Sequence, residues 1–527
     1  MTRVGTRRRL LAPCLLACLV ACGSADDPTS DASSTTGDHT TTAATTELPT
    51  TADATTSTTA ATTTDATTGS VELIVTTEVL RYEAQPMVVD VILTTSAPAT
   101  TVALSHTSDP GVVITSFAVD GLATTYRVRG LAPATDHELA YDVDGTQGTV
   151  QFTTHAPLPG FLPSFPSTGG PVDPAVPYRM FDLIAVPAFD IASVFMVDAD
   201  GTTRWQFSSP STGVAGPEGV YSAVRLRADG SLMYLHNHTM WIRDELGETV
   251  LELHDEAVGV LGLHHEVIEL PSGNFVALSF AFQEVDYGKN GVRLTAGDRI
   301  VEFTPAGELV WSWNSFDHLD PQRVLAPFDA AVIHPETLAN TYDWTHGNAI
   351  VHDPKTDTFL LSLRHQDWIL LIDHKTGELL WKLGNDGDFT LTGAPSFFHH
   401  QHAPEWQSDG SLLLYDNGIG DPDIPPGTDH ARARRYALDQ GKLAAKLVWT
   451  DDGEPIQVPI AGNADTLPSG RILVTDSSIF TVTNVMAQLR ELDPLASPML
   501  QWSLQTPDGT FAYRGSAHDR LVGQTAP

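Results

Sequence analysis

The sequence predicts an all-β protein, with a small fibronectin-III/Ig-like β-sandwich followed by a six-bladed β-propeller. Short alternating apolar and polar runs fill the chain after residue 71, and helix-period segments are nearly absent. A turn-and-strand phrase then recurs six times, its closing residues 46 to 70 apart, the range of a four-stranded blade with its loops. A second phrase, a tight turn before an apolar strand, alternates with the first.

Composition bounds the rest. The 527 residues, 42% of them hydrophobic, are enough for two or three globular domains. Asp and Glu number 65 against 29 Lys and Arg, a formal charge of −36, which disfavours nucleic acid and anionic membrane surfaces as partners. Cys14, Cys18 and Cys22 are the only cysteines. The folded part therefore holds no disulfide, thiolate metal site or cysteine nucleophile.

Residues 1–21 read as a secretory signal, with Arg3, Arg7, Arg8 and Arg9 before the apolar stretch Leu10 to Ala21. It ends in Leu19-Val-Ala-Cys22, which resembles a bacterial lipobox and implies lipidation at Cys22. The other reading is an ordinary signal peptide with an incidental cysteine. A lipid-anchored lipoprotein of the bacterial cell envelope is expected, facing the periplasm or the exterior and touching the membrane through that lipid alone. Residues 22–70 read as a disordered stalk, because 19 of the 40 residues from Thr29 to Thr68 are Thr and little apolar area is available.

Residues 71–156 alternate as short strands, for example Met87-Val-Val-Asp-Val-Ile-Leu, and form the predicted sandwich. Within them, Tyr126-Arg-Val-Arg-Gly-Leu-Ala-Pro-Ala-Thr resembles the E–F corner of fibronectin type III domains. Residues 157–178 form a linker: seven prolines and three glycines between Pro157 and Pro177 predict a stiff hinge. Residues 179–527 form the propeller. Its closing strands end at Trp205, Leu251, Trp311, Trp381, Trp449 and Trp502, and its second phrase turns at Gly230, Gly273, Gly410 and Gly470. The tryptophans read as core residues, not as a cofactor box.

Aligning the repeats on their turns brings chemistry to one place. His265, in His264-His265-Glu266, lies eight residues before Gly273, and His402 lies eight before Gly410. Between them stands Asp343-Trp-Thr-His346-Gly-Asn348, where the strand period of two puts His346 and Asn348 on one face. Gly462-Asn463 takes the matching place in the sixth blade. Arg364 starts the next inward register. One such histidine reads as a satisfied strand end, whereas three at one repeat position converge on the channel mouth. Three imidazoles, an amide and a guanidinium suit a tetrahedral anion, and a neutral imidazole can also act as nucleophile. Elsewhere, Asp416-Asn417-Gly418 reads as a turn, Arg432, Arg434 and Arg435 as a solvated face, and 315–342 as a long insertion over the site.

His264-His265-Glu266, Asp343-Trp-Thr-His346-Gly-Asn348, Ser362-Leu-Arg364-His-Gln366 and Gln401-His402-Ala-Pro-Glu together resemble the bacterial aryl-sulfate sulfotransferase family. Asp373-His-Lys-Thr-Gly-Glu-Leu-Leu-Trp-Lys-Leu-Gly384, Leu414-Tyr-Asp-Asn-Gly418 and Ala512-Tyr-Arg514 extend the likeness over about residues 180 to 520. It implies ping-pong sulfuryl transfer from an aryl sulfate to a phenol, with no nucleotide donor and no cofactor. His402 matches the nucleophile that becomes a sulfohistidine. His265, His346, Asn348 and Arg364 match positions that bind sulfate oxygens and support the leaving phenolate. His264 would replace His265 if the strand slipped by one, and His399 or His400 competes with His402. Two rivals stand beside this reading: a metalloenzyme using His265, His346 and His402, and a non-catalytic surface propeller.

Overall fold

A computed structural model describes residues 52–59, 73–106, 108–118, 122–185, 192–208, 221–420, 430–451, 453–481 and 484–526. The signal segment, Cys22 and most of the threonine-rich stretch lie outside the described residues. Among those described, no helix is long and apolar enough to cross a membrane. The protein is all-β, as expected, and the helices Asp255–Val258 and Ser315–His318 are single turns.

The N-terminal part has two sheets. Strands Ala52–Thr59, Val75–Tyr82, Val88–Thr95, Ala123–Arg129 and Val113–Ala118 form one, in that spatial order, and Val102–His106, Asp136–Val143 and Thr146–Thr153 form the other. Val79, Val91 and Val128 from the first share a core with Leu139, Tyr141 and Val150 from the second. Tyr126 joins the two by donating its hydroxyl to the Val102 carbonyl at 2.7 Å. Residues 52–59 depart from the expected stalk: they pair antiparallel with Val75–Tyr82. An edge strand is held by backbone hydrogen bonds, and Thr suits extended backbone even where no apolar face is available.

Six further sheets follow. Sheet one holds Tyr178–Ala185, Ala192–Val197 and Thr203–Ser208; sheet two runs from Ser222–Leu226 to Thr249–His254. Sheet three runs from Leu261–Glu269 to Leu309–Asn314, and sheet four from Gly347–Asp353 to Leu379–Gly384. Sheet five is built on His402–Trp406 and sheet six on Asn463–Thr466. The first strands of sheets two to six touch in sequence order. Outermost strands carry the closing phrase, so Trp205, Trp381 and Trp502 are buried between sheets.

Both chain ends close this succession. Gly515–His518 pairs with Tyr178–Ala185 and also contacts Ile472–Phe480 of sheet six, so the first strand of sheet one comes from the C-terminus. Asp182 accepts from the backbone N–H of Tyr513 and Arg514 at 2.9–3.1 Å. A buried ion pair joins Arg179 of sheet one to Glu491 of sheet six. The proline-rich linker is a clasp rather than the expected hinge. Its Ser167–Gly169 adds a strand to the outer edge of sheet six, and Phe165 and Val172 are buried with Phe181 and Trp502. Proline brings no N–H that needs a partner, so such a segment can lie in the core.

The insertion 315–342 adds the hairpin Ala331–Ile333 and Asn340–Asp343 to sheet three by parallel pairing at Thr295 and Ala296. The hairpin's last residue is Asp343, delivered beside His346.

The N-terminal sheets are tied to sheet two by charge. Glu245, 6% exposed, accepts from Arg127 at 2.5 Å and from Arg129 at 2.6 and 3.1 Å. Arg127 also has Asp90, whereas Arg129 has no other carboxylate partner among the described residues. Removing one partner of such a buried pair strands the other charge. Glu245→Ala is expected to cost about 3–5 kcal/mol, read as a lower urea midpoint, with Glu245→Gln intermediate.

Candidate active site

The first strands are irregular where the histidines sit. Register breaks between His264 and Val267, between Gly347 and Ala349, and between His402 and Glu405. His265 (φ 55°), His346 (φ 50°) and Ala403 (φ 44°) are left-handed there. A bulge interrupts the alternation of side chains and re-aims one of them. Each left-handed residue other than glycine costs roughly 1–3 kcal/mol and persists only where its surroundings hold it. Asp298 is one such hold. It accepts from Thr345 Oγ1 at 2.5 Å and from the Gly347 N–H at 2.6 Å, bracketing His346. A Cβ on Gly347 would lie 2.7 Å from that carboxylate, so only glycine fits.

The imidazoles form a row. Ring centroids lie 4.9 Å apart for His265 and His346, 4.6 Å for His346 and His365, and 5.9 Å for His365 and His400. Burial and, next, the neighbouring His346 push His265 down to about 3. Burial, then Arg364, holds His346 well below the usual imidazole range, and the same two causes act on His402. The row is therefore neutral at pH 7, with its lone pairs available.

His402 is the most constrained. Its Nδ1 faces Asn417 Oδ1 at 2.7 Å and the His400 carbonyl at 3.2 Å. Asn417 cannot turn its amide around, because its Nδ2 donates to the Val458 and Ala461 carbonyls at 2.7 and 3.0 Å. Two oxygens therefore face Nδ1, which must carry the proton, and the lone pair sits on Nε2. Asp416 fixes the approach of the chain by accepting from the His399 N–H at 2.9 Å.

Arg364 is aimed by its neighbours. His365 donates Nδ1–H to the Asp343 carbonyl at 2.8 Å and accepts from Arg364 Nη1 through Nε2 at 2.7 Å. Arg364 Nη2 donates to the Pro459 carbonyl at 3.0 Å, while its buried Nε finds no partner among the described residues. Burial lowers this guanidinium to about 10. Asp343 Oδ2 lies 2.5 Å from His346 Nδ1 and orients that ring as well.

The floor is an ion pair. Arg514 donates to Glu266 at 2.6 Å and to the Asn348 carbonyl at 2.6 Å. Burial would raise the Glu266 carboxyl, but Arg514 and Arg225 hold it below its usual value. Glu266, Asn463 and Arg514 also line a cavity of about 650 Å³ along the downstream ends of the first strands, and none of the imidazoles in the row lines it.

His265, His346, Asn348, Arg364 and His402, all expected from sequence, come together. His264, expected in substrate binding, sits directly behind them, its Nδ1 3.0 Å from His265 Nδ1. Its ring stacks on Phe280 at 4.0 Å, and its Nε2 lies 3.4 Å from Asp298. The bulge after it turns His265 alone toward His346. Asp416-Asn417-Gly418 is not merely a turn, since Asn417 sets the His402 tautomer. Arg434, expected on a solvated face, is 5% exposed and lies 3.2 Å from Asp416. Asp298, Asp343, His365, Asn417 and Arg514 were missed as site residues. Four of them lie inside or beside the quoted motifs, and Asp298 left no trace in the sequence.

Among the described residues, two groups of three donor side chains come close enough to share a metal ion: Asp343, His346 and His365; and His352, Asp357 and His374. The trio of the rival metalloenzyme, His265, His346 and His402, is neither of these. In the first group both His365 nitrogens are already engaged, one by a guanidinium.

The family model described as arylsulfotransferase (ASST) matches residues 172–514, which contain every residue of this constellation. The chain belongs to that family. It is 25% identical over 322 residues to arylsulfate sulfotransferase AssT of Escherichia coli O6:H1, a match covering 50% of this chain and 53% of that protein. The chain thus spans about half the length of that relative. Among solved structures, a protein of unknown function from Bacteroides caccae is 12% identical over 65% of this chain and 100% of its own, with a TM-score of 0.39. A putative 6-phosphogluconolactonase from Bacteroides fragilis is 11% identical, covering 77% of this chain and 97% of its own, with a TM-score of 0.33. Neither likeness is close enough to carry an argument.

Asn417→Ala removes the acceptor of His402 Nδ1–H and frees the tautomer. Any reaction that uses the His402 Nε2 lone pair is expected to slow on the order of 10²–10⁴-fold, mostly in kcat. Nitrogen chemical shifts of the labelled imidazole should show His402 Nε2 unprotonated in the wild type and mixed in the variant.

Proposed function

We propose that the six sheets are the blades of a propeller behind an N-terminal β-sandwich, and that the imidazole row is an aryl-sulfate sulfotransferase centre working through a sulfohistidine. The observation that carries this reading is the His402 tautomer: one buried, neutral imidazole with its lone pair fixed on Nε2, beside a guanidinium. The family match supports the reaction class.

In the first half-reaction, His402 Nε2 attacks the sulfur of the aryl sulfate. The N–S bond forms as the S–O(aryl) bond breaks, and the departing oxygen leaves with the electron pair as phenolate. Arg364, His265 and Asn348 would supply the cation and hydrogen-bond donors that the sulfuryl oxygens and the phenolate need. In the second half, His346 Nε2 takes the proton of an acceptor phenol, with Asp343 steadying the imidazolium. The phenol oxygen attacks sulfur, and the N–S electron pair returns to His402. The proton on His346 then leaves to water or to the released phenolate. None of these steps calls for a cofactor. Donor and acceptor are small phenolic molecules, and the lipid on Cys22 would keep the enzyme at the cell envelope.

Release of 4-nitrophenol from its sulfate ester tests the proposal. Turnover should require an added phenol, and His402→Ala should abolish it while the protein stays folded. A folded wild type that releases no phenol, or a His402→Ala variant that keeps turnover, refutes it. Because burial depresses His402, protonation that quenches the nucleophile occurs only well below pH 6.5. The burst of the first half-reaction should therefore stay level from pH 8 to 6.5 and fall only at lower pH. A midpoint at or above 6.5 would contradict the buried neutral ring.

A further inference from the structure

We propose that His352, Asp357 and His374, at the opposite end of sheet four from His346, form a site for a divalent metal ion of the zinc class. His346 precedes strand Gly347–Asp353 and His352 lies inside its far end, and six residues at about 3.3 Å each place the two roughly 20 Å apart. The site is thus separate from the imidazole row.

Strand register brings the three residues together. Asp353 pairs with Thr358 and Thr358 with Asp373, so Asp357 and His374, just beyond these pairs, meet at the corner of the sheet beside His352, which pairs with Phe359. His374 N–H also donates to the Asp357 carbonyl at 3.1 Å, locking the two turns. In the side chains, His352 Nε2 lies 3.1 Å and His374 Nδ1 2.9 Å from the same oxygen, Asp357 Oδ1. A tetrahedral zinc ion with bonds of about 2.0–2.1 Å keeps its ligands about 3.3 Å apart. The three donor atoms lie within 4.8 Å of one another, so modest side-chain rotation suffices.

The His374 ring has one donor too few for its surroundings. Its second nitrogen, Nε2, lies 2.8 Å from Glu302 Oε2, so carboxylate oxygens face both sides of the ring. A neutral imidazole has a single N–H. With that N–H given to Glu302, Nδ1 turns a lone pair on the Asp357 carboxylate, and a cation between them resolves the repulsion. A carboxylate behind a ligating histidine is the arrangement that fixes ring and tautomer at zinc sites. Glu302 is itself held by Asn274 at 2.7 Å, and Trp311 and Phe359 pack the His374 ring at 5.0 and 4.7 Å. Asp357 is 57% exposed, which gives an ion its way in and a water its place as fourth ligand. Two imidazoles and a carboxylate are the N/O donor set that zinc, cobalt and nickel share. The ion would clasp sheet four to sheet three through Glu302.

The test uses the untagged full-length protein, stripped with EDTA and titrated with Co²⁺ and Zn²⁺. One equivalent of Co²⁺ should develop the visible absorption of a tetrahedral site, and Zn²⁺ should displace it. His352→Gln with His374→Gln should abolish binding, as should the exposed Asp357→Asn, which spares packing if the double variant fails to fold. Glu302→Gln should weaken Zn²⁺ binding about 10–100-fold, while 4-nitrophenol release stays unchanged in Asp357→Asn. Absence of a stoichiometric equivalent would mean that protons alone serve the His374 ring. Binding that survives Asp357→Asn, or that disappears in His365→Gln, would place the metal elsewhere. Each of these results overturns the proposal.

Discussion

Everything at the imidazole row depends on the bulges at the heads of the first strands. A regular strand sends alternate side chains to opposite faces in one fixed register, whereas here the pairing breaks between His264 and Val267, so His265 is not held to that alternation. The register break and the left-handed backbone at His265 and His346 free those rings from the alternation. Such backbone is unfavourable by itself. Here Asp298 and the neighbouring strands hold it, so the surrounding sheets stabilise the strain that aims the site.

The second constraint is electrostatic. The chain is strongly acidic overall, yet its buried centre collects Arg364, Arg514 and a row of histidines. Burial keeps the histidines neutral, which limits the repulsion among them and leaves two guanidiniums as the cations there. Asp343 and Glu266 compensate those charges without occupying the faces that the rings share. A local positive field inside a molecule of strongly negative net charge favours small anions over polyanions.

Closure of the sheets and construction of the site are one event. Tyr513 and Arg514 are the last residues before the C-terminal strand that completes sheet one, and their backbone is captured by Asp182. The same Arg514 side chain then reaches Glu266 and the Asn348 carbonyl. The site is therefore complete only when the C-terminal strand has docked on sheet one and brought Arg514 to its floor.

Much of this was legible in the sequence. Repeated turns and closing tryptophans predicted six sheets, because tight turns and interlocking aromatic strands are local or periodic features. Equal spacing of His265 and His402 from their turn glycines predicted convergence, and the strand period and register added Asn348 and Arg364. What the sequence left open is long-range or depends on orientation. The choice between His264 and His265 hangs on one bulge, which periodicity does not register. Asn417 reads as a turn residue until the carbonyls of Val458 and Ala461, far along the chain, show which way its amide points. Residues 52–59 read as disordered stalk for want of apolar area and the proline-rich segment as a stiff hinge, yet edge pairing and two buried side chains hold them. Sequence by itself determined the fold class, the family and the residue types of the site. Tertiary structure decided which ring faces which, because hydrogen-bond direction and backbone handedness arise only when distant strands meet.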